Sequence, residues 1–155
     1  MRKLLLTLVI CACTSLIQAQ VITSPNGNFT LKFELTEKGT PSYQLSYKQK
    51  PVIRPSTLGI ETVDVPSFTE GFAITKTEKT SFDENWNPVL GEQKTIRNNY
   101  NELVVTLTQK AQKDRFIYLR FRLFNDGLGF RYEFPKQENL KSFIIKEENT
   151  QFNLT

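Results

Sequence analysis

Phe116-Ile117-Tyr118-Leu119-Arg120-Phe121-Arg122-Leu123-Phe124-Asn125-Asp126-Gly127-Leu128-Gly129-Phe130-Arg131-Tyr132-Glu133-Phe134 decides the fold class. Apolar and polar residues alternate on both sides of Asp126-Gly127, and a period of two belongs to a strand with one face buried. Asp-Gly between two such runs signals a hairpin with a two-residue type I′ loop. With that loop Leu123 faces Phe130, Phe121 faces Tyr132 and Leu119 faces Phe134, so the apolar faces coincide. A three-residue loop would invert them. On the opposite face the same register sets Arg120 against Glu133 and Arg122 against Arg131, with Glu133 diagonal to Arg122 and able to relieve the like-charge pair. Phe116, Tyr118 and Phe124 share that face. It is either a second packing surface with bridged charges or a binding surface, and the packing reading is the one taken.

The same period extends outward from this hairpin. Phe29, Leu31, Phe33 and Leu35 alternate with Thr30, Lys32 and Glu34 after a turn at Ser24-Pro25-Asn26-Gly27. Lys38-Gly39-Thr40-Pro41 turns the chain into Tyr43, Leu45 and Tyr47, and Lys48-Gln49-Lys50-Pro51 turns it again into Val52-Ile53. Phe72 to Thr77 and Leu103 to Thr108 read as two further strands. Between them the alternation fails from about Lys79 to Asn101, which reads as a long loop of the kind that is usually functional or disordered. No segment holds a capped 3.6-residue apolar period. The expectation is an all-β fold, an antiparallel β-sandwich or barrel, in one domain.

Arg2 and Lys3 precede an apolar run from Leu4 to about Ala12 and a polar stretch ending Gln18-Ala19-Gln20, the layout of a secretory signal peptide over residues 1–19. The run is too short to span a membrane, and no later run is longer than a strand. Cleavage after Ala19 is expected, with export to the periplasm or an outer surface; Ile10-Cys11-Ala12-Cys13 allows lipid attachment at Cys13 as the alternative. Both cysteines lie inside this leader, and the chain has no histidine. Residues 20–155 therefore offer no thiol, no Ser-His-Asp triad and no His-based metal site. Removing Arg2 and Lys3 takes the net charge from +4 to about +2, with signs mixed along the chain. Nucleic acid is not an expected partner.

The irregular stretch holds the single tryptophan: Asp83-Glu84-Asn85-Trp86-Asn87-Pro88-Val89-Leu90-Gly91-Glu92, then Ile96-Arg97-Asn98-Asn99-Tyr100-Asn101-Glu102-Leu103. Such mixtures bind sugars, because an indole packs against the C–H face of a pyranose while carboxylates and amides pair with its hydroxyls. On composition alone the simpler reading is that Trp86 plugs the end of the sandwich and the Asn and Asp residues fill turns.

Several segments, in order and spacing, resemble the N-terminal domain of glycoside hydrolase family 97, α-glucosidases and α-galactosidases of bacterial polysaccharide utilisation. They are Ser24-Pro25-Asn26-Gly27, Pro55-Ser56-Thr57-Leu58-Gly59-Ile60, Trp86-Asn87-Pro88-Val89-Leu90-Gly91-Glu92, Arg97-Asn98-Asn99-Tyr100-Asn101-Glu102-Leu103, and Phe121 through Pro135. Glu148-Asn149-Thr150-Gln151-Phe152 is similar to a following segment. Each motif alone is weak; together they cover essentially all of residues 20–155.

The resemblance implies a galactose-mutarotase-like β-sandwich that in the family precedes a (β/α)8 barrel carrying the catalytic carboxylates. It implies that the sandwich is incomplete at Thr155, that this chain supplies no catalytic residue, and that any cofactor is the calcium of the intact family, for which no ligand is matched here. Glycoside cleavage needs two carboxylates at set separations across a sugar, and Glu84 and Glu92 flanking Trp86 are the nearest approach to a pair. The expected role is a carbohydrate-binding or accessory domain with Trp86, Glu92, Asn98, Asn99 and Asn101 toward an α-glucoside or α-galactoside. A ligand-free structural module is the alternative. Glycosidase activity is expected only if a catalytic barrel is encoded downstream.

Overall fold

The computed structural model describes residues 19–112 and 114–155, so most of the expected leader lies outside the described residues. Ten strands appear in chain order: β1 (Gln20–Thr23), β2 (Phe29–Leu35), β3 (Pro41–Tyr47), β4 (Lys50–Thr57), β5 (Ile60–Thr62), β6 (Ala73–Trp86), β7 (Ile96–Gln109), β8 (Arg115–Phe124), β9 (Leu128–Glu133) and β10 (Ile145–Glu148). A 3-10 turn, Lys110–Gln112, lies between β7 and β8. All strand pairings are antiparallel, in two four-stranded meanders, β1-β2-β3-β4 and β6-β7-β8-β9, and a β5–β10 pair.

The meanders pack face to face because each presents its apolar alternate residues to the other. Leu31, Phe33, Tyr43 and Leu45 meet Leu103, Val105, Leu107, Ile117, Leu119, Phe121 and Leu123 in one core. Phe33 and Phe121 touch across it at 5.6 Å between ring centroids. The all-β sandwich read from the alternation is thus what forms.

The deciding hairpin forms with a different turn. Leu123 pairs with Leu128, Phe121 with Phe130 and Leu119 with Tyr132, and Phe124 N–H donates to Gly127 O at 2.8 Å. The loop residues are therefore Asn125 and Asp126, one position earlier than expected, and neither has a positive φ, so the loop is not type I′. Moving the turn by one residue shifts each pairing by two, which keeps every apolar side chain on the core face. The charged pairs change instead: Arg120 faces Arg131, Arg122 faces Gly129 and Tyr118 faces Glu133. A positive φ at both loop residues, as type I′ requires, occurs between β3 and β4, at Lys48 (47°) and Gln49 (66°).

Two features lock the layers. Gly39 in the β2–β3 turn has φ +74°, and a Cβ there would lie 2.6 Å from Phe72 O and 2.7 Å from Phe72 N. The turn docks on the start of β6 through Phe72 N–H to Gly39 O at 3.1 Å and Gly71 N–H to Lys38 O at 2.9 Å. At the other side, residues 149–155 run antiparallel along the outer edge of β4, with Gln151 N–H donating to Thr57 O at 3.0 Å and Arg54 N–H to Asn153 O at 2.8 Å. The buried Tyr43 hydroxyl donates to Gln151 O at 2.9 Å. Burial pushes the Tyr43 phenol up to about 12, with Tyr132 adding to the shift.

Candidate carbohydrate-facing site

The stretch from Lys79 to Asn101 is not the long loop expected. β6 and β7 continue as a ladder through Phe82↔Tyr100, Asp83↔Asn99, Glu84↔Asn98 and Asn85↔Arg97 to Trp86↔Ile96, and only 87–95 form the tip. β8 stops pairing with β7 at Tyr100↔Phe124. The four pairs beyond that point form a two-stranded arm about 13 Å long at ~3.4 Å per residue. Alternation was invisible in sequence because the arm has no core to face, so both of its sides are polar or wet.

Cross-strand side chains hold the arm. Arg97 donates from Nε and Nη2 to the two Asp83 carboxylate oxygens at 2.8 and 2.7 Å, a bidentate fork that keeps the Asp83 carboxyl below its ordinary range. Ser81 Oγ donates to Asn101 Oδ1 at 2.7 Å, and Asn101 Nδ2 donates to Thr23 O at 2.8 Å, tying the arm's base to β1. At the tip Thr95 Oγ1 donates to Asn87 Oδ1 at 2.9 Å, while Val89 and Leu90 are 98% and 90% exposed.

Strand alternation sorts the expected site residues onto two faces. Trp86 and Asn98 lie on the outer face, in line with Phe82, Glu84, Ile96 and Tyr100. Asn99 and Asn101 lie on the opposite face with Asp83 and Arg97, and Glu92 lies in the tip. The five residues are not brought together. Trp86 is 48% exposed at the far end of the arm, so it does not plug the end of the sandwich.

Sequence reasoning missed the aromatic line that runs across the base of this outer face, with Trp86 further out on the same face. Phe82 stacks on Tyr100 at 5.2 Å and 25°, and Tyr100 meets Phe124 at 5.2 Å. The Arg122 guanidinium lies over the Tyr100 ring at 4.6 Å. Its signal was the shared parity of Phe82, Trp86 and Tyr100, which has meaning only once the β6–β7 register is known.

Behind the line, Glu102, 7% exposed, accepts from Arg120 Nη1 and, at 2.7 Å, from Arg122 Nε. Arg120 Nε also donates to Glu133 Oε1 at 2.7 Å, as does Arg131 Nε. The Arg120 hydrogen bond, ahead of that from Arg131, holds the Glu133 carboxyl below its ordinary range, and the Arg120 guanidinium is held above its own, chiefly by Glu133. The bridged charges expected on this face are present, with Glu102 as an unforeseen hub.

No three Asp, Glu, His or Cys side chains among the described residues converge to hold a metal ion. Asp83, Glu102 and Glu133 are each committed to guanidinium, so they do not fit the calcium that the resemblance implies. Among the described residues no helix is long and apolar enough to cross a membrane.

Residues 22–155 match the family model described as Glycosyl-hydrolase 97 N-terminal. The chain belongs to that family. Among solved structures, the family 97 N-terminal domain described here is similar to a glycoside hydrolase family 97 enzyme from Pseudoalteromonas sp. strain K8 in complex with panose, at 36% identity and a TM-score of 0.81, covering 87% of this chain and 20% of that one. The same figures hold for the acarbose complex from that organism. A β-arabinopyranosidase is similar at 25% identity and a TM-score of 0.79, covering 89% of this chain and 22% of that one. The chain thus spans about a fifth of the enzymes it matches and corresponds to their accessory N-terminal sandwich, not to the catalytic barrel.

Proposed function

We propose that this family 97 N-terminal domain contacts α-linked oligosaccharide through the outer face of the β6–β7 arm, as a non-catalytic aid to a glycosidase barrel. The carrying observation is the aromatic line: Phe82 and Trp86, 38% and 48% exposed, stand on one face with Tyr100 behind Phe82. Such rings offer flat apolar surface to pyranose C–H groups, and Asn98 and Glu84 on the same face supply amide and carboxylate partners for hydroxyls. Asn101 belongs to this reading as a support of the base of the arm, through Ser81 and Thr23, while Asn99 on the opposite face and Glu92 in the tip stand apart from the aromatic surface. Panose and acarbose bound by similar enzymes make α-glucosides the first ligands to try. Calcium, in this reading, belongs to the barrel partner.

Titration of the chain with panose or maltooligosaccharides, read by Trp86 fluorescence, should give a saturable change that Phe82→Ala weakens, and calorimetric titration of Trp86→Ala should show the same weakening. No change at millimolar sugar would refute the binding role. The leader-like residues 1–19 support export, and N-terminal sequencing of exported protein should begin at Gln20; acylated protein beginning at Cys13 would replace that reading.

A further inference from the structure

We infer that the outer face of β8 and β9 carries a second site, which takes the carboxylate of an acidic sugar. Arg120, Arg122, Phe124, Gly129, Phe130 and Arg131 line an open cleft of about 170 Å³. Its floor is backbone, because Gly129 pairs with Arg122 across the ladder and a Cβ on Gly129 would meet nothing within 4 Å. A residue of ordinary size in β9 would fill the notch; glycine leaves it open without needing a positive φ, since its φ lies outside that region.

The charge balance on this face favours an anion. Three guanidinium groups, Arg120, Arg122 and Arg131, stand against two carboxylates, Glu102 and Glu133, leaving one positive charge. Donor accounting points the same way. Arg120 is committed to Glu102 and Glu133. Arg122 gives Nε to Glu102, and its two terminal nitrogens meet no acceptor among the described residues. Arg131 binds Glu133 through Nε and Nη2, which leaves Nη1. Glu102 below and the Tyr100 ring beside it hold the Arg122 plane in place, so little side-chain entropy remains to be lost on binding.

A carboxylate suits this arrangement. It can take two parallel hydrogen bonds from the terminal nitrogens of one guanidinium, and its single charge cancels the local surplus where a doubly charged phosphate would exceed it. Phe124, at the cleft wall, is the end of the aromatic line, so a pyranose ring attached to the carboxylate would find apolar surface beside it. The choice of a sugar acid rests on the carbohydrate reading above, but the cleft does not include Trp86.

The test titrates the full chain with glucuronate, glucose, acetate and inorganic phosphate at matched ionic strength, following the Arg122 Nε–H resonance by NMR. Glucuronate should give a saturable shift in the millimolar range, at least several-fold tighter than acetate or phosphate, and glucose none. Gly129→Val fills the notch in space that is free, so it should keep the melting temperature while weakening glucuronate at least tenfold; Arg131→Gln should weaken it several-fold. Undiminished binding to Gly129→Val, or phosphate or acetate binding as tightly as glucuronate, would overturn the site. A panose response at Trp86 with no glucuronate response at Arg122 would remove this inference alone. The reverse pattern would remove only the neutral-sugar reading.

Discussion

β7 lives in two environments along its 14 residues, and the contrast shows what holds each half of the molecule. From Leu103 to Leu107 its odd residues are fully buried in the core between the two sheets; from Ile96 to Asn99 it has only β6 beside it and water on both faces. The buried half is held by apolar area, which stabilises by about 25 cal/mol per Å². The arm is held by its ladder, the Arg97–Asp83 bidentate ion pair and the Thr95–Asn87 hydrogen bond at its tip, with the Phe82–Tyr100 stack at its base. An isolated two-stranded hairpin is marginal in water, so the arm depends on the sandwich for its stability while the sandwich owes the arm little.

Substitutions should separate the two halves. Phe121→Ala, at the centre of the core and in contact with Phe33 and Phe130, should cost about 3–5 kcal/mol, seen as a large drop in melting temperature. Glu102→Gln, at the boundary, leaves Arg120 and Arg122 sharing a poorer acceptor and should cost about 1–3 kcal/mol in urea unfolding. Asp83→Asn should barely move the global transition yet speed amide exchange in Glu84, Trp86, Asn98 and Asn99. An equal loss of protection in β8 would show that the arm and core unfold as one unit.

The pH dependence sharpens the same comparison. Glu133 is depressed in the folded state by Arg120, then Arg131. Its stabilising contribution is complete above the ordinary glutamate value of 4.5 and is lost as pH falls through the lower folded value. Acid should therefore weaken the global transition below about pH 4.5, and Glu133→Gln should flatten that slope. Tyr43 runs the other way: its contribution is present below pH 10 and is lost as pH rises toward about 12, an alkaline limb that Tyr43→Phe should flatten but not remove, because burial also raises the Tyr132 phenol.

The fold class was legible because core strands carry a period of two whatever their exact register. Moving the turn from Asp126-Gly127 to Asn125-Asp126 changed no core assignment, only which charges face each other. Turn type was less legible: Lys48 and Gln49 adopt the left-handed conformation with neither Asn nor Gly, held there by the β3–β4 ladder around them. The arm was illegible for a physical reason. Alternation records burial, and a hairpin that faces water on both sides has none to record. Trp86 and Asn98 were chosen by residue type, but their separation from Asn99 and Asn101 follows from strand parity, which needs the register.

The position of Trp86 has a spectroscopic consequence. It is the single tryptophan, and it stands at the end of the arm rather than in the core. Its emission will track the arm, which frays before the sandwich melts, whereas far-UV circular dichroism will follow the sheets. Unfolding curves from the two probes will not superimpose, a mismatch commonly taken as the mark of a populated intermediate. In this molecule it records only that the indole stands outside the cooperative core.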